Sequence, residues 1–215
     1  MKTGIPGIEV SVSKEAVLVH SDLPLRVLSS AVAGGGRTEV RWIVNRHVPK
    51  GYQGADPVAD LTYFAGRQGI HEPFAGLMTA ALMERAQCVS ERAPGITVCC
   101  IATAGLSNPA ASGLTPPAED APGTINLVLL IDGRLTEAAM VNAVITATEA
   151  KTAVLVERET RTPEGYRATG TSTDAVVVGC TGREPAIAFA GPVTQVGFLI
   201  GRCVREALTL ALASA

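Results

Sequence analysis

The chain has 215 residues, a formal net charge of −2 and a sequence pI of about 5.9. Hydrophobic residues make up 47% of it, charged residues 18% and aromatic residues 4%. This length fits one domain, residues 1–215, with a sizeable core. Binders of nucleic acid or of acidic membrane surfaces present basic patches, and many nucleic-acid binders also use aromatic stacking surfaces. The composition therefore argues against both kinds of partner.

The amino terminus and the cysteines indicate the compartment. MKTGIPGIEV lacks the apolar core of an export signal. The apolar stretch 198–213 is short and contains three charged residues, so no membrane span is predicted. Five cysteines, an odd number without C-x-x-C spacing, are typical of reduced cytosolic thiols. We therefore expect a cytoplasmic protein.

In the first half of the chain apolar and polar residues often alternate, which predicts mostly strands. Strands are predicted at residues 9–12, 16–21 and 40–48, a loop at 49–57, and helices at 60–66 and 74–87. Three glycines at 34–36 follow the apolar run 27–33 and predict a permissive loop, which makes Gly35 a candidate for close approach to a ligand. The spacing is not G-x-G-x-x-G and does not indicate a dinucleotide site.

The second half combines strands with two long helices. Strands are predicted at 96–104, 124–131 and 171–178, helices at 135–151 (capped by Thr136) and 193–212, and loops at 105–123 and 158–165. Residues 152–157 either extend the first of these helices or turn into a strand. Cys99 and Cys100 are adjacent in a strand and should face opposite sides of the sheet. The final helix is expected to place Gly197 and Gly201 against the sheet.

The stretch 146–179 contains polar groups in an apolar part of the chain. Glu149 and Lys151 lie in an apolar helical run, and TGTSTD (169–174) precedes three valines. A buried polar group without a hydrogen-bond partner costs about 1–3 kcal/mol, so these groups predict either a hydrogen-bonded network or a ligand site. On a regular helix Glu149 shares a stripe with Asn142 and Thr146, whereas Lys151 lies about 200° away. Glu149 and Lys151 can therefore face one pocket only if the helix ends between them.

Several blocks in order along most of the chain resemble one known family. They are GGG…VRWIVNRHVP (34–49), GLMTAA (76–81), ATAGLSNP (102–109), PGTIN (122–126), TATEAK (146–151), ATGTSTDA (168–175) and AGPVTQVGFLIG (190–201). Together they resemble the adenosylcobinamide amidohydrolase family. The resemblance implies a corrinoid-salvage hydrolase that cleaves the amide joining aminopropanol to the corrin ring and gives adenosylcobyric acid. Some members of that family also cleave complete cobamides.

A weaker likeness links the chain to the ornithine acetyltransferase and aminopeptidase superfamily. It implies helices flanking two stacked sheets, and in that superfamily an internal Thr or Ser nucleophile is freed by self-cleavage. No matching cleavage site stands out in this sequence, so the likeness informs the fold class only. We predict an α+β fold with a mixed, largely antiparallel β-sheet flanked by helices, of which a four-layer αββα sandwich is one form.

Amide hydrolysis requires an attacking oxygen, a base, an oxyanion stabiliser and an acid for the leaving amine. Glu149 or Asp174 is a candidate base, and Glu149 is favoured because apolar surroundings desolvate a carboxylate and buried carboxylates are rare unless paired. Thr171 or Thr169 is a candidate nucleophile. Lys151 either assists catalysis or lies at a helix C-terminus, where cations are favoured. The alternative for TGTSTD is a turn whose hydroxyls bond to local backbone.

A corrinoid carries many amides, so neutral hydrogen-bonding side chains are candidate substrate contacts. They are Asn45, His47, Thr103, Ser107, Asn108, Thr124, Asn126 and Thr169, and turn or loop formation explains each equally well. The three histidines are scattered and the cysteines are not spaced as ligands, so no metal site and no cofactor is expected beyond the cobalt corrinoid substrate. The sequence is compatible with a homo-oligomer. A corrinoid carrier without activity is the alternative, and a scaffold protein would leave the polar groups unexplained.

Overall fold

The computed structural model describes residues 1–117 and 124–213. Within them the strands are Ile8–Val12 (β1), Ala16–Ser29 (β2), Gly36–His47 (β3), Phe74–Thr79 (β4), Gln87–Ala93 (β5), Ile96–Ala104 (β6), Pro109–Ala110 (β7), Ile125–Ile131 (β8), Arg134–Leu135 (β9), Gly170–Thr171 (β10), Ala175–Cys180 (β11) and Ala186–Ile187 (β12). The α-helices are Pro57–Arg67 (α1), Glu137–Glu157 (α2) and Gln195–Ala213 (α3). Part of the predicted loop 105–123, residues 118–123, lies outside the described residues.

Eight strands form one mixed sheet in the order β4-β3-β2-β11-β8-β6-β5, with β1 paired to β2. The β3–β4 and β11–β8 pairs are parallel and the other pairs of this sheet are antiparallel. β2 is long, and its register with β3 shifts between His20 and Leu25. Its first half pairs with β1 and its second half with β11. β2 therefore belongs to two arms of the sheet, one formed with β1, β3 and β4 and the other formed with β11, β8, β6 and β5.

The two arms stack face to face and helices cover their outer faces. Buried residues of β1–β4, such as Val19 and Ile43, share a cluster with residues of β6, β8 and β11, such as Ile101 and Leu130. A second cluster joins α2 and α3 to the opposite face of β6, β8 and β11. A third joins α1 to the outer face of β3. The layers are therefore α, β, β and α, which confirms the predicted αββα sandwich.

Helix α2 begins and ends for identifiable reasons. Its N-cap is Thr136, whose hydroxyl accepts a hydrogen bond from Ala139 N, as predicted. It then continues to Glu157, so Lys151 lies in the helix interior and not at its end. By length and hydropathy alone α2 could cross a membrane. Here it is a core helix that packs on α3 and β11.

Two predicted elements were wrong. Residues 74–87 form no α-helix: they contain β4, a 3₁₀ turn and the start of β5. FAGLMTAALM is rich in helix formers, but a short apolar run does not distinguish helix from strand, and pairing with β3 decides. The predicted strand 171–178 is interrupted: Thr171 belongs to β10, residues 172–174 form a turn, and β11 starts at Ala175. Cys99 and Cys100 do face opposite sides of the sheet, as predicted.

The two glycines of α3 have different surroundings, and only one is required by packing. A Cβ on Gly197 would lie 1.9 Å from the backbone oxygen of Gly191, whereas a Cβ on Gly201 would meet nothing within 4 Å. We expect Gly197→Ala to lower the free energy of unfolding by about 1–3 kcal/mol or more, because backbone must move. Gly201→Ala in the same helix should raise it by about 0.5–1 kcal/mol. Thermal unfolding of the two variants checks this, and equal effects would contradict the packing argument.

Candidate functional site

A cavity of about 730 Å³ opens between the two arms of the sheet. Its walls come from the β2–β3 connection, the loop after β3, the end of β4, and the starts of β8 and β11. The lining residues are Ser30, Val32, Val48, Pro49, Gly51, Tyr52, Gln53, Gly54, Pro57, Leu77, Met78, Thr79, Ala80, Thr124, Asn126, Thr173, Asp174 and Ala175. This volume is in the range of small-molecule sites.

Asp174, on the cavity wall, forms a largely buried ion pair with Lys151. The side chains of Lys151 and Asp174 are 10% and 14% exposed, and Lys151 Nζ contacts Asp174 Oδ2. Ion pairs this buried require further hydrogen bonds to be stable. Lys151 reaches the site from the interior of α2, where the helix passes β10.

Three further donors among the described residues bond to the Asp174 carboxylate. Oδ1 accepts hydrogen bonds from Ile125 N at 3.0 Å and from Thr171 Oγ1 at 2.5 Å, and Oδ2 accepts one from Thr171 N at 3.1 Å. With Lys151 this makes four donors, which is the full capacity of a carboxylate. A water could bond to this carboxylate only by replacing one of them. The Thr171 hydroxyl is the donor among the four whose oxygen can itself act as a nucleophile.

Gly170 makes room for this arrangement. A Cβ at this position would lie 2.4 Å from Asp174 Oδ2 and 2.6 Å from Lys151 Nζ. A side chain here would therefore displace one or both partners of the ion pair. The glycine of the TGTSTD stretch is explained by this close approach.

A second polar network joins the two arms beside the ion pair. Asn126 Nδ2 donates to Asn45 Oδ1 at 2.9 Å and to Met78 O at 3.0 Å, and Asn45 Nδ2 donates to Thr103 Oγ1 at 2.9 Å. Thr124 Oγ1 contacts Asn126 Oδ1 at 3.2 Å and Thr173 O at 2.6 Å. The network thus connects β3, β4, β6 and β8 to the residue that precedes Asp174.

The structure brings together Lys151, Thr171 and Asp174 but not Glu149. Glu149 is exposed and lines a separate surface groove with Arg202 and Arg205. The expectation that Glu149 is buried and desolvated was wrong, because the face of α2 that carries it is exposed. Since the helix does not end before Lys151, the two residues face different sides, as the helical geometry required.

Of the predicted substrate contacts, Asn126 and Thr124 line the cavity. Asn45 and Thr103 are buried, hydrogen-bonded within the network and not part of the cavity lining, and their contact with substrate stays a prediction. Their amide and hydroxyl groups are used to hold the two arms together.

The remaining predicted contacts lie outside the cavity lining. Gly35 is exposed and packs tightly on Ala31 O, while a ring nitrogen of His47 lies 3.0 Å from Ala81 O. Thr169 and Asn108 hold the loop after β6 against the segment before β11: Thr169 Oγ1 accepts from Ser112 N and Asn108 Nδ2 contacts Ser172 Oγ. Ser107 is exposed in the same loop.

Sequence reasoning did not find most of the cavity wall. The loop after β3, including Tyr52 and Gln53, was predicted only as a loop, although its proline and glycine content and its position after a strand are typical of binding loops. Leu77–Ala80 were assigned to a helix. Ser30 had no distinguishing signal, and Thr173 was singled out only as part of the TGTSTD stretch.

The cysteines are poorly placed for chemistry. None of the five lines the described part of the cavity. Burial raises the pKa of the Cys100 and Cys180 thiols, and it raises the pKa of Cys203 to about 12. Among the described residues, no group of three or more His, Cys, Asp or Glu side chains is arranged to hold a metal ion.

Comparison with known proteins identifies the family. The family model described as adenosylcobinamide amidohydrolase matches residues 2–215. The chain belongs to this family. The adenosylcobinamide amidohydrolase of Methanosarcina mazei is 34% identical over 187 residues, covering 83% of this chain and 86% of the relative. The adenosylcobinamide amidohydrolase of Halobacterium salinarum is 42% identical over 120 residues, covering 53% of this chain and 49% of the relative.

Solved structures support the fold of this adenosylcobinamide amidohydrolase family member. A β-aminopeptidase from Burkholderia sp. superposes with a TM-score of 0.55 at 13% identity, covering 98% of this chain and 85% of the other. The PH0078 protein of Pyrococcus horikoshii OT3 superposes with a TM-score of 0.55 at 12% identity, covering 97% of this chain and 80% of the other. At this identity the likeness concerns the fold alone. Family membership makes the protein an amidohydrolase.

Proposed function

We propose that this protein hydrolyses the amide that joins aminopropanol to the corrin ring of adenosylcobinamide, giving adenosylcobyric acid for reuse in cobamide synthesis. The family match over residues 2–215 and the similarity to two adenosylcobinamide amidohydrolases, from Methanosarcina mazei and Halobacterium salinarum, support this substrate. The structural observation that carries the proposal is the buried Lys151–Asp174 pair. Asp174 lines the cavity and accepts a hydrogen bond from the hydroxyl of Thr171, a residue that is not itself part of the lining.

The proposed chemistry starts at Thr171. Its Oγ1 attacks the carbonyl carbon of the substrate amide while its proton passes to Asp174 Oδ1, to which the hydroxyl is already hydrogen-bonded. The tetrahedral intermediate then breaks its C–N bond, and the proton is transferred to the departing amine nitrogen. Water hydrolyses the resulting ester, releases the corrinoid acid and restores the Thr171 hydroxyl.

Lys151 serves this chemistry as a positioning residue. Its ammonium contacts Asp174 Oδ2, while Thr171 Oγ1 contacts Oδ1. The ion pair thus helps to fix the orientation of the carboxylate toward the hydroxyl. Without this partner the carboxylate would be held only by its hydrogen bonds from Ile125 N, Thr171 N and Thr171 Oγ1.

The proposed function is tested by incubating the pure protein with adenosylcobinamide and following products by liquid chromatography and mass spectrometry. We expect adenosylcobyric acid and free aminopropanol in equal amounts. Binding without products would identify a corrinoid carrier and would overturn the proposal.

The nucleophile is tested with two substitutions at Thr171. Thr171→Ser keeps a hydroxyl and should keep measurable turnover, whereas Thr171→Ala should lose at least ~100-fold, in the range typical of losing a covalent or acid–base group. If Thr171→Ala stays within about 10-fold of the parent, water attacks the amide directly and the ester intermediate is wrong.

A further inference from the structure

The cavity is too small to enclose a complete corrinoid. Its volume is about 730 Å³, and its walls are formed by the two sheet arms, the β2–β3 connection and the loop after β3. The corrin macrocycle with its ring of amide side chains must therefore stay at the mouth. The arm that carries the scissile amide is the part that can enter, with its aminopropanol end foremost.

The described cavity wall is electrically almost neutral. Asp174 is the one charged residue among its described lining residues, and the Lys151 ammonium contacts Asp174 Oδ2 but is not part of the lining. Ser30, Thr124 and Asn126 offer hydroxyl and amide groups instead. Such groups can hydrogen-bond a neutral alcohol, whereas an anion entering here would lose its water beside the Asp174 carboxylate without gaining a cation from the described lining residues.

We infer that the cavity selects corrinoids whose aminopropanol arm ends in a free, uncharged hydroxyl and discriminates against those phosphorylated on that oxygen. This inference rests on the proposed function and refines its substrate class. Phosphorylated cobinamides and complete cobamides carry their negative charge a few bonds beyond the scissile nitrogen. The charge would therefore enter the cavity ahead of the amide.

The first experiment compares kcat/KM for three substrates: adenosylcobinamide, its phosphate monoester, and the neutral dimethyl phosphotriester. We expect the monoester to react at least ~10-fold less efficiently than adenosylcobinamide, the size of effect given by like charges several ångströms apart at intermediate dielectric. The triester is larger than the monoester by two methyl groups but lacks the charge, so it should react better than the monoester if charge, and not size, limits entry. Equal values for monoester and triester would overturn charge selection.

A second experiment adds a cation to the wall. Gln53 lines the cavity and is exposed, so Gln53→Lys introduces a positive charge without disturbing the core. Gln195→Lys makes the same change in net charge at the exposed start of α3, away from the cavity. The quantity compared is the ratio of kcat/KM for adenosylcobinamide to kcat/KM for its monoester. We expect Gln53→Lys to lower this ratio at least ~3-fold and Gln195→Lys to leave it at the parent value.

The outcomes separate the two proposals. Hydrolysis of adenosylcobinamide and its monoester with equal efficiency overturns the inference and leaves the proposed function standing. Identical ratios for Gln53→Lys and Gln195→Lys also overturn it. Hydrolysis of none of the three substrates contradicts the proposed function itself.

Discussion

Asp174→Asn is expected to hydrolyse adenosylcobinamide at least ~100-fold more slowly than the parent, because removal of a positioned general base typically costs 10²–10⁴-fold. The substitution keeps the shape of the side chain but removes the charge that accepts the Thr171 proton. Single-turnover measurements of amide cleavage with enzyme in excess check the chemical step directly. Corrinoid binding, followed by equilibrium titration, should change far less than turnover.

Loss of stability has to be separated from loss of catalysis in this variant. Asp174→Asn leaves the buried Lys151 ammonium without its counter-ion, and breaking one side of such a pair costs about 3–5 kcal/mol. The double variant Lys151→Gln/Asp174→Asn removes both charges and should recover much of the lost Tm. Its turnover should remain as low as that of Asp174→Asn, because the base is still missing.

Glu149→Gln is the matched comparison. It makes the same carboxylate-to-amide change on an exposed face of α2 that lies in a different groove. We expect its kcat/KM to stay within a few-fold of the parent. The opposite result would be a stable but inactive Glu149→Gln variant and an active Asp174→Asn variant. Glu149, the base favoured on sequence grounds, would then replace Asp174 in the mechanism.

Much of the fold could be predicted because its signals are local. The strand Ile96–Ala104 and the Thr136 cap of α2 follow directly from apolar runs and capping residues. The failure at Phe74–Thr79 is of the opposite kind, since parallel pairing with β3 overrides the helix propensity of those residues. No local pattern contains that information.

The candidate site was predictable only in part, for a related reason. Lys151, Thr171 and Asp174 were chosen because polar groups in an apolar stretch need partners, and they prove to be partners of one another. Glu149 was favoured because apolar neighbours in sequence were taken as burial, but on α2 the exposed face also carries Val141 and Ile145. Apolar residues are common on protein surfaces, so composition alone does not show which side of a helix faces the core.

Gly170→Ala is expected to inactivate the enzyme with the smallest possible change in the chain, a single added methyl group. The new Cβ would lie closer than van der Waals contact to both Asp174 Oδ2 and Lys151 Nζ. Overpacking of this kind typically costs about 1–3 kcal/mol, and the ion pair must open to relieve it. We therefore expect a lowered Tm and, because the carboxylate is displaced from the Thr171 hydroxyl, at least ~100-fold lower turnover.

Gly105→Ala provides the control, since Gly105 follows β6 and its backbone N–H donates to Thr124 O beside the cavity. Its Cβ would meet Ala81 Cβ at 3.7 Å, an ordinary contact, so its Tm and turnover should stay near the parent values. Thermal unfolding and the adenosylcobinamide assay on both variants give the comparison. If Gly170→Ala is destabilised yet fully active at a temperature where it is folded, the Lys151–Asp174 pair is a structural element of the sandwich. Catalysis must then be assigned to other groups on the cavity wall.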